Sequence, residues 1–213
     1  MKRAIRIGGG IFCLMLLALA GCASTQVTLL DETTTRLPRP DRILVYDFAV
    51  SPDEVKLDRG ISAKIAGHIN ETPRTVEEKA VGHRVASSVS EHLVENIRAL
   101  GLFAEKAAGP PPRGGNIVEI EGQLISIDEG NKIERTIIGL GAGRTDVKTY
   151  VQVYDSRKEP RILAAEYQVD TDADGKRTAE EIVKMALGPF FVSQGWIPQS
   201  KLQEKGFFEK LIQ

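Results

Sequence analysis

Between Val81 and Ile97 an apolar residue returns at every fourth position: Val81, Val85, Val89, Leu93 and Ile97, with Ala86 and Leu100 beside them. At about 100° per residue these positions form one stripe on a helix. Thr72-Pro73 supplies a cap and a proline suited to a first helical position, and Gly101 follows the last turn. A helix with a single apolar stripe must bury it against another layer. The rest of the chain offers strands for that layer. Ile43 to Phe48 is rich in β-branched and aromatic residues and reads as a buried strand. Leu102 to Lys106 reads as a short strand, and Ile117 to Ile127 alternates as a strand with one wet face. Residues 135–138, 147–154 and 161–169 read as further strands, and residues 51–72 as a loop or partial helix. Thr178 with Glu181 three residues on makes a capping box. It predicts a second helix with Ile182, Val183, Met185, Ala186 and Leu187 on its inner face. Leu202, Phe207, Phe208 and Leu211 predict a short closing helix. This order predicts an α+β fold: a mostly antiparallel sheet of about five strands packed against one long and one or two shorter helices.

The amino terminus is a different kind of sequence. Lys2, Arg3 and Arg6 precede Ile11 to Ala20, a run of apolar character with no charge. A spanning helix needs about 20 apolar residues, so this run is too short for a stable membrane span and reads as a secretory signal. It ends in Leu19-Ala20-Gly21-Cys22, which resembles the bacterial lipobox. The resemblance implies cleavage between Gly21 and Cys22, diacylation of the Cys22 thiol and acylation of the new amino group. An ordinary signal peptide ending near a cysteine is the alternative, and the spacing from the basic start favours the lipobox. Each buried acyl methylene contributes about 0.8 kcal/mol, so three chains hold where one would be marginal. The lipid bilayer is thus an expected partner. Ala23, in place of an Asp that would retain the protein in the inner membrane, points to the outer membrane, facing the periplasm.

The expected organisation is a lipoprotein signal peptide over 1–21, then lipidated Cys22 and a flexible tether over 22–41. A single periplasmic α+β domain follows over 42–213. The tether reading rests on weak periodicity, five threonines and Pro38 and Pro40. Cys13 leaves with the signal and Cys22 is acylated, so no thiol remains for a disulfide or a metal. The full chain has 213 residues, 42% hydrophobic and 27% charged, with 28 basic against 29 acidic side chains. That balance excludes a disordered tail and a many-pass membrane protein. Signal removal takes three cations and no acid, making the mature chain more acidic and giving no basic footprint for nucleic acid.

Two segments invite a chemical reading. Ile138-Gly139-Leu140-Gly141-Ala142-Gly143-Arg144 looks like a phosphate loop, yet strand-like residues follow it instead of a helix, and no Gly-Lys-Ser/Thr occurs. A Gly-rich turn between strands is the simpler reading. The other reading is a partner or anion surface formed by Arg135, Gly141, Gly143 and Arg144. Asp170, Asp172, Asp174, Gly175 and Glu181 fit the spacing of a twelve-residue calcium loop. Arg177 at its usual aliphatic position and the strand-like entry favour an acidic strand-to-helix loop whose Glu181 caps the helix. Calcium is the one cofactor considered; otherwise none is expected. No catalytic set emerges. His83 and His92, nine residues apart, fall on opposite helix faces. Phe190, Phe191 and Trp196 read as packing rather than a ligand stack.

The strand VYDF, the long helix ending in Leu-Gly, and the run from Ile127 through Gly130-Asn131, Arg135 and Ile138-Gly139-x-Gly141-Ala142-Gly143 resemble one family. It is the bacterial domain of unknown function 4410, found in proteobacterial lipoproteins. More distantly, a strand ending in Asp-Phe and a helix ending in Leu-Gly are similar to the curli-export lipoprotein and the amino-terminal part of TolB, domains that assemble with envelope proteins. The resemblance implies location and fold but no reaction. The expectation is a non-enzymatic protein-interaction module in cell-envelope assembly. A calcium-binding lipoprotein with one EF-hand-like loop is the alternative, and a cell-wall or glycan hydrolase using paired carboxylates comes last.

Overall fold

Strand alternation and the helical stripe meet in one core. In the computed structural model, which describes residues 25–50, 76–110, 114–128, 146–157, 159–171 and 173–203, the stripe becomes α1 (Val76–Ala99). Ala86, Val89, Leu93 and Ile97 are buried along it. Gly101 ends the helix at φ 87°, the left-handed conformation that glycine adopts without a Cβ penalty. The strands that contribute to the same core are β2 (Arg42–Tyr46), β4 (Ile117–Asp128), β5 (Asp146–Asp155) and β6 (Ile162–Thr171). Ile43, Val45, Val118, Ile120, Val151, Val153 and Val169 point from these strands into the same core. Burying one such side chain contributes about 1.5–3 kcal/mol.

Two more strands complete a six-stranded mixed sheet in the order β1-β6-β5-β4-β2-β3, with β1 at Gln26–Glu32 and β3 at Ala104–Ala107. The pairs β1–β6, β6–β5 and β5–β4 are antiparallel, while β2 pairs in parallel with both β4 and β3. The parallel end follows from connectivity: α1 crosses over between β2 and β3, and a crossover returns the chain in its original direction. The α+β class is as expected. The sixth strand comes from the segment read as tether, which corrects that boundary.

Residues 26–37 are part of the domain. Gln26 to Glu32 pair with Asp170 to Ala165. Beyond β1, the Leu37 N–H donates to Gln194 Oε1 at 2.7 Å, and the Trp196 indole N–H donates to the Leu37 carbonyl at 3.1 Å. The buried Trp196 also packs on Phe190 and Phe191, at ring centroid distances of 5.5 and 5.4 Å. The aromatic trio is therefore core, as its composition predicts.

The second helical layer begins earlier than the capping box implies. Asp174 is the N-cap of α2 (Gly175–Ile182), and its side chain accepts from the Arg177 N–H at 2.9 Å. Thr178 lies inside the helix and donates to the Ala173 carbonyl. A one-turn π-helix (Val183–Leu187), α3 (Gly188–Ser193) and α4 (Ser200–Gln203) follow. Ile182, Val183, Ala186 and Leu187 are buried as expected, but Met185 is exposed. Among the described residues no helix is long and apolar enough to cross a membrane.

Candidate functional site

The described helices pack on one face of the sheet, and among the described residues the other face carries an ordered polar array. Alternation along β4 sends Ile120 and Leu124 into the core and Glu119, Glu121 and Gln123 the other way. Register then sets the neighbours: Glu119 opposite Tyr154, Glu121 opposite Gln152, and Gln123 opposite Tyr150. On β6 Glu166 stands opposite Gln152, Gln168 opposite Tyr150, and Asp170 opposite Lys148. Three adjacent strands thus present Glu, Gln and Tyr in rows.

Arg161, just before β6, ties the array together. Its Nη1 donates to Glu119 Oε2 at 3.0 Å and to Glu121 Oε1 at 2.6 Å, and Nη2 donates to Glu121 Oε2 at 3.1 Å. The guanidinium carbon lies 4.0 Å from the Tyr154 ring centroid, so the cation also rests on an aromatic face. The Ser156 hydroxyl donates to Glu119 Oε1. Glu119 is 1% exposed, so these donors replace the water its carboxylate has lost. A second chain runs from the Tyr154 hydroxyl to Gln152 Oε1 at 3.0 Å, and from Gln152 Nε2 to Glu166 Oε1 at 2.9 Å. Burial, then the charges of Glu119 and Glu121, push the Tyr46 hydroxyl up to about 12, so it stays protonated at neutral pH. The arrangement pairs two carboxylates with one fork-shaped cation, leaving a net negative charge, and builds a rigid polar surface.

This constellation escapes a linear reading. Alternation places Glu119 and Glu121 on one face, but their cation lies about forty residues away in sequence, and only the β4–β5–β6 register brings it there.

The sequence-predicted residues fall elsewhere. Gly21, Cys22, Arg135, Gly141, Gly143, Arg144 and Asp172 lie outside the described residues, as do residues 51–75 and Phe207, Phe208 and Leu211. The Gly-rich segment connects β4 to β5, which are antiparallel neighbours. β5 begins at Asp146, so a strand follows the segment where a phosphate loop has a helix. Of the acidic loop, Asp170 accepts from Gln168 and sits 3.8 Å from the Lys148 ammonium. Asp174 caps α2, and Glu181 pairs with Lys184 at 3.8 Å rather than capping the helix. The entering segment is β6. Among the described residues no three His, Cys, Asp or Glu side chains are grouped to hold a metal ion.

Glu180, on α2, is buried with Oε1 lacking a hydrogen-bond partner. Burial raises its carboxyl above the ordinary value, partly offset by Lys176 and Arg177. A raised folded-state pKa means that ionised Glu180 opposes folding, so stability falls as pH rises through the unfolded and then the folded value. Glu180→Gln is expected to gain about 1 kcal/mol at pH 7. The gain should vanish at acidic pH, as thermal melts over a pH series would show.

Fold and face together define a two-layer α+β domain, with helices on one side of a mixed sheet and a hydrogen-bonded polar array on the other. The chain belongs to the family described as Domain of unknown function (DUF4410), whose model matches residues 43–185. A search of the curated proteins found no match. Among solved structures the chain is similar to a leucine-to-methionine variant of the PelC dodecamer from Paraburkholderia phytofirmans. Identity there is 15% and the TM-score 0.44, covering 83% of this chain and all of that one. It is also similar to a putative neuraminyllactose-binding hemagglutinin homolog from Helicobacter pylori, at 9% identity and a TM-score of 0.35, covering 81% of this chain and 94% of that one.

Proposed function

We propose that the protein is a lipoprotein anchored in the outer membrane, facing the periplasm, and acts there as a non-enzymatic protein-interaction module in cell-envelope assembly. The observation that carries the anchoring is Leu19-Ala20-Gly21-Cys22 standing four residues before β1. The observation that supports interaction is the polar sheet face opposite the described helices. Buried Glu119, Tyr150 and Tyr154 hold it rigid, and half-buried Glu121, Gln152, Gln168 and Lys148 give its accessible part. Tyrosine and arginine are the side chains that interfaces use most. The face carries Glu119, Glu121, Glu166 and Asp170 against Arg161 and Lys148, so its charge suits a partner surface presenting lysine or arginine.

Cys22→Ser is expected to abolish incorporation of labelled palmitate and to move the protein from the membrane pellet to the soluble fraction; retention in the pellet would refute the anchor. A photo-crosslinking residue in place of Gln168 is expected to capture a reproducible envelope protein in intact cells. Capture should be lost when Glu121 and Asp170 are both replaced by lysine. No adduct at Gln168 would refute the docking face.

A further inference from the structure

The exposed large apolar side chains among the described residues are unevenly placed. Leu29 and Leu30 on β1, Met185 on the π-helical turn and Ile162 at the start of β6 are between 41% and 52% exposed, and Phe103 is 58% exposed. The π-helical turn packs against β1, and β6 is the strand that β1 pairs with. Three of the five therefore lie on the β1 flank; Ile162 lies beyond the stretch of β6 that β1 pairs with, opposite Asp155 of β5, and Phe103 sits beside β3 at the opposite edge, about 24 Å away across six strands. The two edges are built differently. The β3 edge is four residues long and carries Glu105 and Lys106, which blunts it. The β1 edge is seven residues long and holds two leucines in water, an association hazard unless something covers them.

We propose that the lipid surface covers them: the β1 edge seats on the bilayer through Leu29 and Leu30, with Met185 beside them. This inference rests on the reading of Cys22 as acylated. Gln26 follows Cys22 by four positions, and a chain extends at most about 3.6 Å per residue, so the start of β1 lies within about 14 Å of the anchor. A second copy of the chain is the other possible cover, and the strand is poorly made for it. The register skips Leu30 between Leu29 and Asp31, a bulge that interrupts the ladder a pairing strand would follow. A fluid apolar surface has no register to match. Asp31 and Glu32 end the strand and keep its far end in water.

The test uses the full lipidated protein in vesicles of phosphatidylethanolamine and phosphatidylglycerol. Cys13 and Cys22 are the chain's only cysteines, so a new cysteine in the mature protein carries a thiol-reactive, environment-sensitive fluorophore at one place. Leu29→Cys, Leu30→Cys and Phe103→Cys replace exposed side chains and leave the core intact. Fluorophores at 29 and 30 are expected to shift to the blue and to be quenched by nitroxide-bearing lipids but not by iodide. The fluorophore at 103 should show the reverse, and Cys22→Ser should make all three respond to iodide. Iodide quenching at 29 and 30 on vesicles that float with the protein overturns the seating while leaving the anchor intact. Protection from both quenchers assigns the edge to a second copy and also overturns it. Failure to float with the vesicles overturns the anchor, and the seating with it.

Discussion

Arg161→Ala is expected to lower the unfolding free energy by about 3–5 kcal/mol, because it strands a buried carboxylate. Glu119 has almost no exposed surface, and the Arg161 guanidinium is its only cation among the described residues. Once that group is gone, the Ser156 hydroxyl is the remaining side-chain donor to Glu119 among the described residues. Two half-exposed pairs show the contrast. Arg42–Glu105 and Lys148–Asp170 stand largely in water, where such bridges are worth about 0–1 kcal/mol. A double-mutant cycle with Glu119→Gln separates the pair from the packing of Arg161 on Tyr154. The cycle should return a coupling of about 1–3 kcal/mol in urea denaturation. A single-variant loss below about 1 kcal/mol would mean that the bridge behaves as a surface pair, and the rigid face would lose its anchor.

Gly122→Ala is the second large effect, with an expected loss of about 1–3 kcal/mol or more from overpacking. Gly122 faces the core between Ile120 and Leu124, and the Phe48 ring occupies the place of its side chain. An added Cβ would lie 2.6 Å from Phe48 Cδ2 and Cζ, inside van der Waals contact. Phe48 is itself fully buried and its neighbour Ala49 is bridged to Gln123, so the ring has little room to withdraw. The double variant with Phe48→Leu should recover part of the loss by freeing that volume. A Gly122→Ala protein as stable as the parent in thermal melts would show that the ring moves freely.

The elements that could be read from the chain are those whose burial leaves a periodic mark. The four-residue spacing from Val81 to Ile97 became α1, the apolar run of Ile43–Phe48 became β2, the alternation of Ile117–Ile127 became β4, and the strands read at 102–106, 147–154 and 161–169 became β3, β5 and β6. The segment QVTLLDE leaves no such mark, because an edge strand is exposed on most sides. Its strand state comes from hydrogen bonds to β6 rather than from its own pattern. The start of α2 at Gly175, ahead of Thr178, has a related reason. Thr178 with Glu181 and Asp174 with Arg177 both offer capping chemistry, and the end of β6 at Thr171 decides which turn comes first.

The polar face divides in the same way. Alternation shows that Glu119, Glu121 and Gln123 share a face, and this follows from strand geometry alone. That Arg161 forks between two of them, that Tyr154 lies under its guanidinium, and that Gln152 hands a hydrogen bond from Tyr154 to Glu166 are consequences of strand order and register. The amino-terminal signature, the class of fold, the long helix and five of the six strands are local properties, since charge, apolar run length and periodicity act over a few residues. The strand at the edge, the parallel pairing beside α1 and the ionic network are long-range properties. They depend on which strands become neighbours, and a linear pattern of apolar and polar residues is the same whichever neighbour is chosen.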